Sequence, residues 1–136
     1  MRTSLYLALT LVAALTATAL AVPRDAFVGT WKVVVTPDED ATRTGAKEFK
    51  DTLTFKGDQF ASAAGKAHGF ESAQYEEDTR AGITATFKSE IKSKKNEGTQ
   101  TWSGTSTSAD ISGEMTWKKA DGSEVHYTFK GTRESR

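Results

Sequence analysis

The sequence predicts an all-β protein: a small eight-stranded antiparallel up-and-down barrel with at most one short helix near residues 37–44. Three observations predict it. Apolar or small residues alternate with polar ones along several stretches, the period of a pleated strand with one buried face. Short turns carrying Gly, Asp or Asn separate those stretches, which suits hairpins better than crossovers. A Thr-aromatic-polar triplet recurs in six of the stretches, so that each presents one large ring to the same side of its strand.

Taken in chain order, the strands are expected at 27–35, 50–56, 59–63, 70–76, 82–91, 99–106, 111–118 and 124–131. Phe27 to Val35 opens the set as a β-branched run. Thr36-Pro37-Asp38-Glu39 then has the form of a capping box with Pro at the first helical position, and Gly45 can end the turn. A short helix or ordered loop over 36–48 would lie across one end of the barrel. Lys56-Gly57-Asp58 breaks the second strand from the third. The alternation is cleanest from Ile83 to Ile91, with Thr, Lys and Glu between the apolar or small residues. Asn96-Glu97-Gly98 reads as a hairpin tip beside Lys92, Lys94 and Lys95. Asp121-Gly122 joins the last two strands, since glycine accepts the positive φ of a tight turn. Both prolines, Pro23 and Pro37, are expected outside the strands.

Met1 and Arg2 precede an apolar run from Leu5 to Leu20, and Ala19-Leu20-Ala21 has the small-x-small form that signal peptidase accepts. Residues 1–21 are therefore expected to be a signal peptide, leaving one domain over 22–136 that is secreted or periplasmic, with no membrane insertion after cleavage. The absence of Cys means that stability must come from packing and backbone pairing. Without Arg2 the chain carries 17 Lys+Arg against 18 Asp+Glu, a balance that gives no field to draw nucleic acid or an anionic membrane. From Val22 onward there are one Leu, three Ile, six Val and seven Phe, so aromatic rings must supply much of the core.

Asp25-Ala26-Phe27-Val28-Gly29-Thr30-Trp31-Lys32 resembles the first strand of the calycin barrels: lipocalins, fatty-acid-binding proteins and avidins. The resemblance implies a lipocalin-like barrel whose Trp31 closes one end, with Arg133 packed over it as a cation over an indole. Thr101-Trp102-Ser103-Gly104 followed by Trp117 is similar to the tryptophan-bearing hairpin of streptavidin-like proteins. The polar biotin contacts do not carry over, because Val33 and Thr132 stand where Asn and Asp would be expected. The double-helix lid and Arg-x-Tyr clamp of fatty-acid-binding proteins are missing too.

The triplets are Thr30-Trp31-Lys32, Thr54-Phe55-Lys56, Thr86-Phe87-Lys88, Thr101-Trp102-Ser103, Thr116-Trp117-Lys118 and Thr128-Phe129-Lys130. With Trp31 assigned to closure, Phe55, Phe87, Trp102, Trp117 and Phe129 are the candidate walls of a pocket for a small apolar ligand. The same rings could instead fill the interior, leaving an interaction module that works through the 62–78 loop with His68, Phe70 and Tyr75. Catalytic and metal chemistry has little to draw on. There are two histidines, no Cys and no Gly-x-Ser-x-Gly, and the acidic clusters 38–40 and 76–78 lack the alternating ligands of a calcium loop. His126 is expected to point outward, and His68 with Glu71 is the one pair that an enzyme could use. The reading of the sequence is thus a non-catalytic binding barrel without cofactor.

Overall fold

The period-two pattern produces strands that close on themselves. The computed structural model describes residues 26–79 and 84–136. The expected signal segment 1–21, the start at Val22 and the first residues of the 82–91 strand lie outside these. Eight strands follow one another around a closed barrel: β1 (Gly29–Pro37), β2 (Phe49–Lys56), β3 (Gln59–Ser62), β4 (Ala73–Asp78), β5 (Ala85–Lys92), β6 (Thr99–Ser106), β7 (Asp110–Lys118) and β8 (Glu124–Ser135). Every neighbouring pair is antiparallel, and β8 returns to β1 with Trp31 opposite Arg133 and Val35 opposite Phe129. Closure leaves no free sheet edge of the kind that an open sheet must protect.

Two short helices, α1 (Glu39–Arg43) and α2 (Ala63–Ala67), follow β1 and β3 at the same end of the barrel. α1 falls where the sequence predicts it, but its cap is Asp38, whose carboxylate accepts from the Ala41 amide at 2.7 Å. Pro37, expected outside the strands and at the first helical position, is instead the last residue of β1 and pairs only with Tyr127 of β8. A strand terminus bonded on one side tolerates the missing N–H. α2 has no counterpart among the expected elements. Ser62 caps it through the Gly65 amide at 2.9 Å, so the chain leaves β3 one residue before the expected end. The fourth strand accordingly starts at Ala73, and residue 70 makes only an isolated bridge to Ser93. β8 runs four residues further than its alternation suggests, because β1 offers partners as far as Thr30 opposite Ser135.

The inward side of the barrel is built from rings. Trp31, Phe55, Phe87, Trp102 and Phe129 of the triplets are all buried, and Trp117 packs half-buried against the same cluster. Phe27, Phe60, Phe70 and Tyr75 join them. Phe87 lies 5.0 Å from Phe27, 4.9 Å from Phe55 and 5.7 Å from Phe60 between ring centroids, and Trp102 lies 5.3 Å from Phe129. These are tilted and edge-on contacts of the kind that favour aromatic clusters. The space for so many rings comes from small inward residues. Gly104 of β6 pairs with Gly113 of β7, and a Cβ on either would stand within 2.9 Å of the Phe129 ring tip.

Phe27 enters the barrel from outside the first strand. Gly29 has φ +126°, and a side chain there would stand 2.0 Å from the Ser135 carbonyl. The glycine of Gly-x-Trp therefore lets the chain turn inward and pass close to the end of β8.

Candidate functional site

The two ends of the barrel are chemically different. At the end where β1 begins, the Trp31 indole is completely buried and donates Nε1–H to the Phe27 carbonyl at 2.8 Å. The Arg133 guanidinium carbon lies 4.2 Å from the centroid of the Trp31 ring. Its Nη1 donates to the Val28 carbonyl at 2.6 Å and its Nη2 to the Ala26 carbonyl at 2.5 Å. One side chain thus stacks on the indole and ties down the segment that carries Phe27. Phe27, Phe55 and Tyr75 stack behind it, so that rings fill the space next to the indole.

The opposite end is open. Beneath α2 lies a cavity of about 410 Å³, walled by Phe49, Trp102, Trp117 and Tyr127, with Gln100 and His68 contributing polar groups. That volume falls in the lower part of the range of small-molecule sites, which are concave, mostly apolar and carry a few placed polar groups. Of the five expected pocket residues, Trp102 and Trp117 line this cavity, whereas Phe55, Phe87 and Phe129 pack on one another in the middle of the barrel. Phe49, Gln100 and Tyr127 were not singled out by the sequence. The signal for two of them was present: Gln100 and Tyr127 stand two residues before Trp102 and Phe129, hence on the same face of β6 and β8.

The polar groups of the cavity have defined partners. The Gln100 side-chain oxygen accepts from Trp102 Nε1 at 3.1 Å, which turns its amide nitrogen the other way. Among the described residues neither that nitrogen nor the Tyr127 hydroxyl has a hydrogen-bond partner. Burial pushes the Tyr127 phenol above its ordinary value of 10.0, so it stays protonated and able to donate. Trp117 is held by its Nε1–H, which donates to the Glu97 carbonyl at 2.6 Å. Lys119 stands 4.7 Å over its ring on the outer side.

α2 is docked by a buried carboxylate. Asp51 Oδ1 accepts from the amides of Thr52 and Ala64 at 2.7 and 2.8 Å, and Oδ2 accepts from the Ser62 hydroxyl. Asp51 is raised above the ordinary 3.8, first by desolvation, with those hydrogen bonds opposing it. A raised value in the fold means that the native state holds its proton more tightly than the unfolded chain. The stability contribution of Asp51 is therefore complete below about pH 3.8 and declines as pH rises through the higher folded value. Asp51→Asn should remove that decline, because an amide oxygen can accept from Thr52 and Ala64 while its nitrogen donates to Ser62 Oγ. Urea unfolding at a series of pH values checks this. Parallel pH profiles for the two proteins would rule it out.

The two histidines lie apart, each beside its own partners. His68 ends α2 with Nδ1 3.0 Å from Glu97 and its ring 5.2 Å from Trp117, while Glu71 pairs instead with Lys94 at 2.8 Å. The His68–Glu71 pair that an enzyme reading would use is not formed, because α2 turns the histidine toward the β5–β6 hairpin. His126 is exposed on β8 beside Thr116 and Glu124. Among the described residues no three His, Cys, Asp or Glu side chains converge on a metal-sized site, and no helix is long and apolar enough to cross a membrane.

A wider hollow of about 820 Å³, at the end where β1 begins, is bordered by Asp58, by β4 from Gln74 to Asp78 and by Thr86, Phe87 and Lys88 of β5. Asp58, Glu76, Glu77 and Asp78 give it an acidic wall that does not suit an apolar guest. Compared with protein-family models, curated proteins and solved structures, the chain matches none of them.

Proposed function

We propose that this protein is a lipocalin-like carrier that acts after export, in the periplasm or outside the cell, and holds a small, largely apolar molecule without transforming it. The observation that carries the reading is the aromatic cavity beneath α2, at the end away from the Trp31–Arg133 closure. Such an arrangement suits a carrier: the packed ring core supplies stability and the cavity beneath α2 supplies the site. The rival reading, an interaction module using residues 62–78, draws less support. Phe70 and Tyr75, two of the side chains that such a loop would offer, are buried in the core.

Native mass spectrometry of the protein purified gently from its host, set against the denatured protein, tests the carrier reading directly. A discrete extra mass lost on denaturation is the expected result. A bare chain that takes up nothing from a panel of lipids and aromatic metabolites would transfer the function to the surface. Trp117→Ala is expected to weaken uptake about tenfold or more, since a buried aromatic contact contributes about 1.5–3 kcal/mol. Because Trp117 is only half-buried in the free protein, the same change should lower Tm far less than a replacement in the ring core.

A further inference from the structure

We propose that the cavity beneath α2 selects a flat, uncharged molecule bearing a hydrogen-bond acceptor, such as an aromatic ketone, and that Gln100 and Tyr127 read that acceptor. This inference rests on the carrier reading and narrows it to a ligand class.

The walls favour a ring: Phe49, Trp102, Trp117 and Tyr127 present aromatic surface, and His68 closes the rim edge-on to Trp117. The polar groups set the head of the ligand. Gln100 is 3% exposed; its oxygen accepts from Trp102, and its amide N–H is without a partner among the described residues and so is free to donate. Tyr127 is 7% exposed and has an unpaired hydroxyl among the described residues. The two project to the same side of the sheet from β6 and β8, on either side of β7. In the free protein water can satisfy them. A hydrocarbon that displaces the water leaves both donors unpaired and loses their solvation, whereas a carbonyl oxygen restores it.

Charge disfavours an anionic head group. The lysines around the cavity are exposed: Lys50 at its edge on the outer face of β2, Lys95 beside Ala67, and Lys119 over the Trp117 ring, while the rim residue His68 is engaged by Glu97. Behind the wall, Asp51 bonds to Ser62 and Ala64, both of which line the cavity. A buried carboxylate guest would therefore meet neutral donors and a neighbouring acid, with no buried cation to balance it.

Three probes of similar shape separate these terms: acetylnaphthalene, ethylnaphthalene and naphthoate, titrated into the purified protein at neutral pH with tryptophan fluorescence as the readout. The ketone is expected to bind about tenfold more tightly than the hydrocarbon, the size of one well-made hydrogen bond, and more tightly than the acid. Tyr127→Phe should erase most of the ketone's advantage while leaving ethylnaphthalene unchanged. Gln100→Glu keeps the acceptor for Trp102 and removes the donor, so it should act in the same direction; circular dichroism checks that both variants fold. Equal binding of ketone and hydrocarbon, tighter binding of the acid, or a preference that survives both substitutions would overturn this inference and leave the carrier reading standing. Binding of none of the three probes, together with a bare chain from the native host, would overturn both.

Discussion

Trp31→Ala is expected to remove about 3–5 kcal/mol of stability, the range for deleting a large buried aromatic side chain. The indole is fully buried, so its loss leaves a cavity that the surrounding strands cannot close without breaking register. Two further contacts go with it: the bond to the Phe27 carbonyl and the stack with Arg133. The Phe27 backbone then keeps only the bonds of Arg133 to its neighbours Ala26 and Val28, while its ring stays packed on Phe55 and Phe87. Since a domain of this size has only about 5–15 kcal/mol in total, the variant should sit close to its unfolding threshold at ambient temperature. Trp31→Phe keeps a ring beneath the guanidinium and gives up the hydrogen bond, so its loss should be much smaller. Urea denaturation of the three proteins decides the matter. A Trp31→Ala variant no less stable than Trp31→Phe would mean that this end is not closed by the indole.

Phe87→Ala is the second large effect, again about 3–5 kcal/mol, and it separates the packed half of the barrel from the hollow half. Phe87 touches Phe27, Phe55, Phe60 and Phe129, and comes from the middle of β5. Gly104 lies beside it, with no side chain to move into the vacated space. Collapse is therefore limited and the cavity term is retained. Phe87 does not line the cavity beneath α2, so ligand uptake measured well below the lowered Tm should stay near the parent value. Trp117→Ala should show the reverse, with affinity lost and stability largely kept. If Phe87→Ala weakened binding as much as Trp117→Ala, the guest would have to lie among the central rings.

The strands were legible because their information is local. The alternation in β5 becomes a strict buried–exposed alternation from Ala85 to Lys92, and the same period turns five triplet rings fully inward and Trp117 partly so. Turn chemistry was equally readable: Gly57, Gly98 and Gly122 all adopt the positive φ that their hairpins need. α1 was visible through the Thr36-Pro37-Asp38-Glu39 stretch, although the cap is Asp38 and not Thr36. α2 was not visible, because Ala63-Ala64-Gly65-Lys66-Ala67 has too few turns to show a helical period. It is held by Ser62 and by Asp51, eleven residues before that serine in the chain.

By itself, then, the sequence determined an eight-stranded antiparallel barrel and the inward side of the six triplet strands, and its resemblance to the calycin barrels pointed to Trp31 and Arg133 as partners. Only the tertiary structure decided which inward rings fill the barrel and which border a space. Phe55, Phe87 and Phe129 come from three different strands and meet only when the sheet closes, and the Gly104–Gly113 pair admits the Phe129 ring between them only in that register. The cavity among Phe49, Trp102, Trp117 and Tyr127 is likewise a property of the closed barrel and of where α2 docks. Periodicity is written residue by residue along one strand, whereas volume is shared among side chains from many strands and acquires a value only when they are brought together.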